Sequence, residues 1–370
     1  IFRFGSLDLV RSDWRKYLLT LDEEIDNNND NTDFSTGTIG IQENEESYVS
    51  PPGVEREQFN NNNTIVRQNE QSLVLNVCDL EPEDSRGVYK NLNVDMRQFK
   101  RIRMFIHAED GLSPGLTDGD VVGYVRLGND LSENYYQIEI PLKKSSSGSL
   151  NPQAVWPLVN EINLPISALE AIKSHAIFNG TLGSQDATFY NVINDIVSEE
   201  PVDEFSEHDL GQHRVAIKGN PNFGDIRALM VGVKNPRQDN MNVCAEVWFN
   251  ELRLSDMDNK GGWAATLALD SNIADFMTIS ATARQSTNGF GSIEQGPSER
   301  DKIDKKQYDM VSNINVGQLF PKKWGLNIPF NYGQGEELIT PEYDQQYRDI
   351  KLNSRLDAAE TQEDKNSILQ

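Results

Sequence analysis

Four histidines, His107, His175, His208 and His213, are the only imidazoles in the 370 residues. His208, Asp209 and His213 fall in one acidic loop and have the right atoms for a transition metal, but i,i+5 spacing in flexible chain does not preorganise a ligand set. Asp256-Met257-Asp258-Asn259-Lys260-Gly261 imitates the start of a calcium loop and then fails: position 5 is Lys260, and position 12 is Leu267 where a bidentate glutamate is needed. Asp118-Gly119-Asp120 reads as a turn. Nucleophile elbows, phosphate-cradling glycine loops and dinucleotide fingerprints are missing from the sequence, and neither Cys78 nor Cys244 stands beside a histidine. With 58 acidic residues a carboxylate pair for glycoside hydrolysis could be drawn almost anywhere, so such a pair carries no information. No catalytic residue, cofactor or metal is expected. The two cysteines read as buried free thiols, with a disulfide as the alternative if their domain is extracellular.

Composition narrows the partner classes. The 34 Lys+Arg and 58 Asp+Glu give a formal charge of −24, and the densest basic cluster, Lys100-Arg101 with Arg103, is too small a footprint for a phosphate backbone. Nucleic acid is therefore not an expected partner. The length exceeds a typical domain of roughly 100–200 residues, so two units or more are expected. There is no run of about 18 apolar residues and hence no transmembrane helix, although barrel strands would leave no such trace. The sequence opens at Ile1 without an n-region or h-region and reads as a fragment.

The elements that must position these residues fall into four stretches. Residues 1–25 give a strand followed by a short strand or helix, the tail of a preceding β unit. Residues 26–70 read as a disordered, polyproline-like connector. Asp26–Asp33 is DNNNDNTD, a solvated linker with a calcium loop as the alternative, and the prolines of Tyr48-Val49-Ser50-Pro51-Pro52-Gly53-Val54-Glu55-Arg56-Glu57 fix φ and remove two amide donors. Residues 71–256 hold β-type runs at Ser72–Val77, Arg101–Ile106, Val121–Leu127, Tyr135–Ile140, Arg214–Ile217, Ala228–Val233 and Ala245–Leu254. These predict a mainly β, jelly-roll-like sandwich of the carbohydrate-binding-module kind. One or two helical turns are expected over Ile166–Ile172, and a strand or short helix over Phe189–Val197. Trp156, Tyr135 and Tyr136 are expected to pack into the core, as large aromatic side chains mostly do, with a sugar platform on the sandwich as the alternative.

The pattern changes over 257–370. Trp263, Ala265, Leu267 and Leu269 share one face of a predicted strand, as do Trp324, Leu326, Ile328, Phe330 and Tyr332, while small or polar residues take the other face. Phe276–Arg284, with Met277, Ile279, Ala281 and Ala283 on its apolar side, and Tyr308–Val316 are weaker versions. An ordinary antiparallel sheet over a soluble core is the plain alternative. The connections favour an outer-membrane barrel: Ser271–Asp275 and Leu319–Lys323 are short, and Gln285–Lys306 and the region after Gln334 are long and polar. Trp263, Leu267, Leu269, Trp324, Leu326, Ile328 and Phe330 are then the lipid-facing candidates, and the preceding sandwich lies outside the cell. Four strands cannot close, so the barrel is incomplete.

The stretch Tyr48–Glu57, Asn69-Glu70-Gln71-Ser72-Leu73, Met104-Phe105-Ile106-His107-Ala108-Glu109, Val247-Trp248-Phe249-Asn250-Glu251-Leu252-Arg253-Leu254-Ser255-Asp256, Gly262-Trp263-Ala264-Ala265 and Leu319-Phe320-Pro321-Lys322-Lys323-Trp324-Gly325-Leu326 resemble the SprA (Sov) family through nearly the whole chain. The resemblance implies the outer-membrane translocon of the type IX secretion system of Bacteroidota, linked in gliding species to surface adhesins. That is a large single-chain barrel exporting folded cargo proteins that bear C-terminal targeting domains. It implies as partners a PorV-like outer-membrane barrel protein, a periplasmic plug protein, the cargo and outer-membrane lipid, and it carries no catalytic residues. Tyr48, Pro51, Pro52, Gly53, Glu55, Arg56, Trp248, Asn250, Glu251 and Arg253 are the signature residues, expected to be structural. The alternative is an extracellular carbohydrate-binding or interaction sandwich on an unrelated outer-membrane protein.

Overall fold

The computed structural model describes residues 14–17, 31–42, 44, 48–54, 58–61, 64–67, 69–113, 115–239, 241–258, 261–295, 299–358 and 361–369. Two compact units divide the chain, Ile1–Met257 and Asp258–Gln370. The expected strand at Ile1–Val10 lies outside the described residues.

In the first unit the strands are β1 Arg15–Lys16, β2 Asp33–Gly40, β3 Gln58–Asn61, β4 Thr64–Arg67, β5 Gln71–Leu80, β6 Ser85–Val94, β7 Phe99–Asp110 and β8 Val122–Gly128. They continue as β9 Tyr135–Pro141, β10 Ile162–Pro165, β11 Thr188–Ile193, β12 Ile196–Val197, β13 His213–Lys218, β14 Ile226–Lys234 and β15 Val243–Met257. One eight-stranded sheet runs β1-β6-β14-β8-β9-β13-β11-β12, a five-stranded sheet runs β10-β7-β15-β5-β2, and β3 pairs with β4 alone. All these pairings are antiparallel, and none of the sheets closes into a barrel.

Period-2 alternation puts one core between the two large sheets. From the five-stranded sheet come Ile102, Met104, Ile106 and Ala108 of β7 and Val243, Ala245, Val247 and Phe249 of β15. They share a single buried cluster with Val125 and Leu127 of β8, Tyr136, Ile138 and Ile140 of β9, and Leu229, Val231 and Val233 of β14. Helix α1, Ile166–Phe178, adds Ile166, Ala168, Leu169, Ile172 and Ala176 to the same core. It runs longer than the one or two turns expected, because Lys173 is buried with its Nζ on the Pro221 carbonyl at 2.7 Å and so does not end the apolar face. Phe189–Val197 is a hairpin of β11 and β12. Strand β6 carries no clear signal in the sequence, since Lys90, Asn91 and Asn93 interrupt its apolar pattern.

The expectation of a disordered connector over 26–70 is corrected for part of that stretch. β2 pairs along β5 from Asp33↔Cys78 to Gly40↔Gln71 and forms an edge of the five-stranded sheet. Its Asp, Ser, Thr and Gly content gives a weak local β signal, and the open edge of β5 supplies the pairing that local propensity does not. The prolines do not make an extended run either: Val54 N donates to Pro51 O at 3.3 Å. Pro52 and Gly53, the latter with φ +77, occupy the two central positions of that turn.

The second unit contains β16 Ala264–Ile273, β17 Met277–Ser286, β18 Ile303–Asn315 and β19 Pro329–Pro341, paired in sequence order as a four-stranded antiparallel sheet. Two short helices, Leu352–Ala358 and Gln362–Ile368, follow. Register fixes two faces. Rows such as Ile273–Met277–Ile314–Phe330 and Leu269–Ala281–Met310–Gln334 make one face mainly apolar, and rows such as Asn272–Thr278–Asn313–Asn331 make the other polar. Two expectations fail here. Trp324 belongs to a 3-10 turn, Lys322–Trp324, ended by Gly325 at φ +62, so Trp324, Leu326 and Ile328 precede the strand that begins at Pro329. The connection from Val316 to Ile328 is also no tight turn, so the expected alternation of short and long connections is not found.

Candidate functional site

The outer face of the five-stranded sheet gathers the signature residues. Across it, Val74 of β5, Trp248 of β15 and His107 of β7 share one row. Beside that row, one extra residue bulges β15 between Asn250 and Arg253, with Glu251 at φ +52. A bulge bends its strand and re-aims a neighbouring side chain. Here the neighbour, Asn250, meets the segment that arrives from β2.

Tyr48 is the centre of that meeting and is 3% exposed. Its hydroxyl donates to Glu70 Oε1 at 2.6 Å, lies 2.7 Å from Ser72 Oγ and accepts from Asn250 Nδ2 at 2.8 Å. Asn250 Nδ2 also donates to Glu70 Oε1, and Ser50 Oγ donates to Glu70 Oε2. A buried carboxylate is tolerable only with donors of this kind around it. Burial and the bond to Glu70 raise the Tyr48 pKa far above that of a free phenol, so the hydroxyl stays protonated.

Aromatic rings close the site. Tyr48 lies 6.0 Å from Trp248 and 6.3 Å from Trp156, and His107 stacks on Trp248 at 3.9 Å. Trp156 Nε1 donates to Val49 O at 2.6 Å, and His107 Nδ1 donates to Val155 O at 2.7 Å. His107 Nε2 has no hydrogen-bond partner and faces Glu109 Oε2 at 3.6 Å. Glu109's pKa is lowered: burial pushes it up, and the His107 and Ser147 contacts outweigh that push. The arrangement presents no open nucleophile. What it can do is pin the segment around Tyr48 to the sheet through interlocked polar and aromatic contacts.

Of the expected signature residues, Tyr48, Trp248 and Asn250 meet in this cluster, and Pro51 is buried next to it in sequence. Gly53 is exposed in the turn, and Arg253 sits over the Phe105 ring at 5.9 Å. Glu55 and Arg56 lie outside the described residues. Glu70, Ser50 and Ser72 complete the network, and the sequence signal for them is their place within the same signatures.

The aromatics pack inside as expected and leave no room for the alternative of a sugar platform: Trp156, Tyr135 and Tyr136 are 1%, 5% and 0% exposed. Tyr136 stacks on Phe223, and Arg126 covers the Tyr135 ring at 3.9 Å. The free-thiol reading is corrected, because Cys78 and Cys244 form a disulfide between the adjacent strands β5 and β15. Their separation of 166 residues hides this adjacency from the sequence. His208 Nε2 donates to Gln212 O at 2.8 Å while His213 Nε2 accepts from Asn163 N at 3.2 Å, so the two rings are engaged separately. Among the described residues no group of three or more His, Cys, Asp or Glu converges to hold a metal.

In the second unit the lipid-facing candidates are all solvent-accessible: Trp263, Leu267, Leu269, Trp324, Leu326, Ile328 and Phe330 are between 42% and 69% exposed. Leu267, Leu269 and Phe330 lie on the apolar face, with Trp263 just before β16. No helix among the described residues is long and apolar enough to cross a membrane.

A comparison with curated proteins gives no match. A family model described as motility related/secretion protein matches residues 1–356. The chain therefore belongs to the SprA_N family of motility-related and secretion proteins.

Proposed function

We propose that this chain is a segment of a protein-conducting outer-membrane translocon of the type IX, gliding-associated kind, which exports folded cargo. In this reading β16–β19 are staves of the barrel wall and the sandwich lies on the extracellular side. The observation that carries it is the four-stranded sheet with one apolar and one polar face, neither covered among the described residues. In water such an apolar face would need a partner layer, whereas in a barrel it meets lipid. The family's secretion description agrees with this reading. The disulfide supports a compartment outside the cytoplasm.

The role is conductive and non-catalytic. Its partners are a PorV-like barrel protein, a periplasmic plug protein, cargo with C-terminal targeting domains and outer-membrane lipid. The buried cluster at Tyr48 then serves as a rigid joint that keeps the sandwich in one shape beside moving cargo.

The test uses the full-length protein in cells. Leu267→Arg and Leu269→Arg should block barrel assembly and export, since a cation on a lipid-facing strand costs about 2–4 kcal/mol near the midplane. Thr266→Arg and Thr282→Arg, on the opposite face, should assemble. Equal tolerance of both pairs, or normal export after deletion of β16–β19, would refute the proposal. Protease treatment of intact cells separates an extracellular sandwich, which is cut, from a periplasmic one, which is not.

A further inference from the structure

The outer face of the eight-stranded sheet holds a cleft of about 610 Å³, lined by Tyr17, Arg126, Tyr135, Gln137, Asp186 and Lys218 among others. Register explains why a hollow exists. Arg126, Gln137, Ala216 and Phe189 form one row across β8, β9, β13 and β11, and Gly128, Tyr135 and Lys218 form the next. Gly128 and Ala216 leave the floor low between larger neighbours. A Cβ at Gly128 would meet Asn134 O at 2.1 Å, so the β8–β9 loop can close over that position only because it is glycine. The loop is also held in place: Asp130 Oδ1 accepts from the amides of Ser132, Glu133 and Asn134 at 3.0, 2.6 and 2.9 Å. One rim of the cleft is therefore built before any ligand arrives.

Arg126 decides the chemistry. It is 9% exposed. Its Nε donates to Gln137 Oε1 at 2.7 Å and its Nη1 to Leu131 O at 2.8 Å, while Nη2 donates to no described group. Arg86, Arg97, Arg101 and Arg237 each have a carboxylate partner, and Arg214, buried without an ion pair, is held instead by Asn191 and by the carbonyls of Glu204 and Glu207. Arg126 has none among the described residues, and neither does Lys218 on the adjacent row. Glu204, also at the cleft, is already paired with Lys234 at 2.6 Å. A buried guanidinium fork without a carboxylate is matched by a planar anionic acceptor. Ser132, Glu133, Gln185 and Asp186 at the rim suit hydroxyl groups, and the Tyr17 ring offers a flat apolar wall. The volume is that of a small-molecule pocket.

We propose that this cleft binds an acidic saccharide, its uronate carboxylate on Arg126 and Lys218, its hydroxyls on the rim and one ring face against Tyr17. The site belongs to the first unit and is independent of the membrane reading of the second.

Isothermal titration of the 370-residue chain with a trigalacturonate is the test, with a neutral galactose trisaccharide and a tri-glutamate peptide as alternative probes. Trigalacturonate should bind, and it should bind at least about tenfold tighter than either alternative. Arg126→Gln should weaken it by about ten- to a hundredfold, the usual range for losing a charge-assisted hydrogen bond. Because Arg126 is buried, Lys218→Gln at the cleft edge is the second variant, expected to weaken binding several-fold with an unchanged thermal midpoint. No binding, equal binding of the neutral sugar, tighter binding of the peptide, or indifference to Lys218→Gln would overturn the proposal.

Discussion

Replacing Tyr48 with phenylalanine removes one oxygen from the centre of the signature cluster and leaves the ring in place. That oxygen bonds Glu70, Ser72 and Asn250 at 2.6, 2.7 and 2.8 Å. A hydrogen bond to a charged group contributes about 1.5–3 kcal/mol and a neutral one about 1 kcal/mol. Glu70 keeps Ser50 and Asn250 as donors, so the loss falls short of the sum of all three. The expected destabilisation is about 2–3 kcal/mol, or about 5–10 °C in Tm for a unit of this size. Urea unfolding followed by tryptophan fluorescence reads the change directly, because the Trp156 and Trp248 rings lie 6.3 and 6.0 Å from the Tyr48 ring. Tyr48→Phe combined with Asn250→Ala should show a coupling of about 1 kcal/mol or more, as expected for residues in one network. A loss under about 0.5 kcal/mol, or simple additivity, would refute the view that this hydroxyl locks the segment to the sheet.

Three further outcomes are expected. Reducing the Cys78–Cys244 bridge, or replacing both cysteines with serine, should cost about 2–5 kcal/mol in denaturant unfolding, since it releases a long loop in the unfolded chain. His208 should make the first unit sensitive to acid. Burial, and then the nearby charge of Arg214, lower its pKa from 6.5 to about 4. The unfolded chain therefore takes up the proton first, so this contribution is complete above about pH 6.5 and is lost as pH falls toward about 4, by up to about 3 kcal/mol. His208→Gln should flatten that part of the stability profile. Lys234→Met should cost about 3–5 kcal/mol by leaving Glu139, whose side chain is 1% exposed, without its cation, and adding Glu139→Leu should recover most of the loss.

Much of this architecture is legible in the sequence because its signals are local. Alternation along β16 and β17 places Leu267, Leu269, Met277 and Ile279 on one face, and register keeps them there. Runs of β-branched and aromatic residues locate β5, β7, β8, β9 and β15. Signals that depend on partners far along the chain are not legible. β2 is a strand because β5 offers it an edge, the Trp324 pattern breaks where Gly325 takes a positive φ, and β6 is carried through its polar residues by pairing with β14.

The sequence by itself determined a mainly β chain, the change of character near residue 257 and the family to which the chain belongs, because composition, periodicity and short signatures are properties of neighbouring residues. Tertiary structure alone decided what those signatures do. Tyr48, Glu70, His107, Trp156 and Asn250 are far apart along the chain and become one site only when β5, β7 and β15 pair side by side. Pairing also joins Cys78 to Cys244, buries the aromatics Trp156, Tyr135 and Tyr136 and leaves Arg126 over a hollow on the opposite sheet. Proximity in a sheet is set by register between distant strands, and no single stretch of sequence contains it.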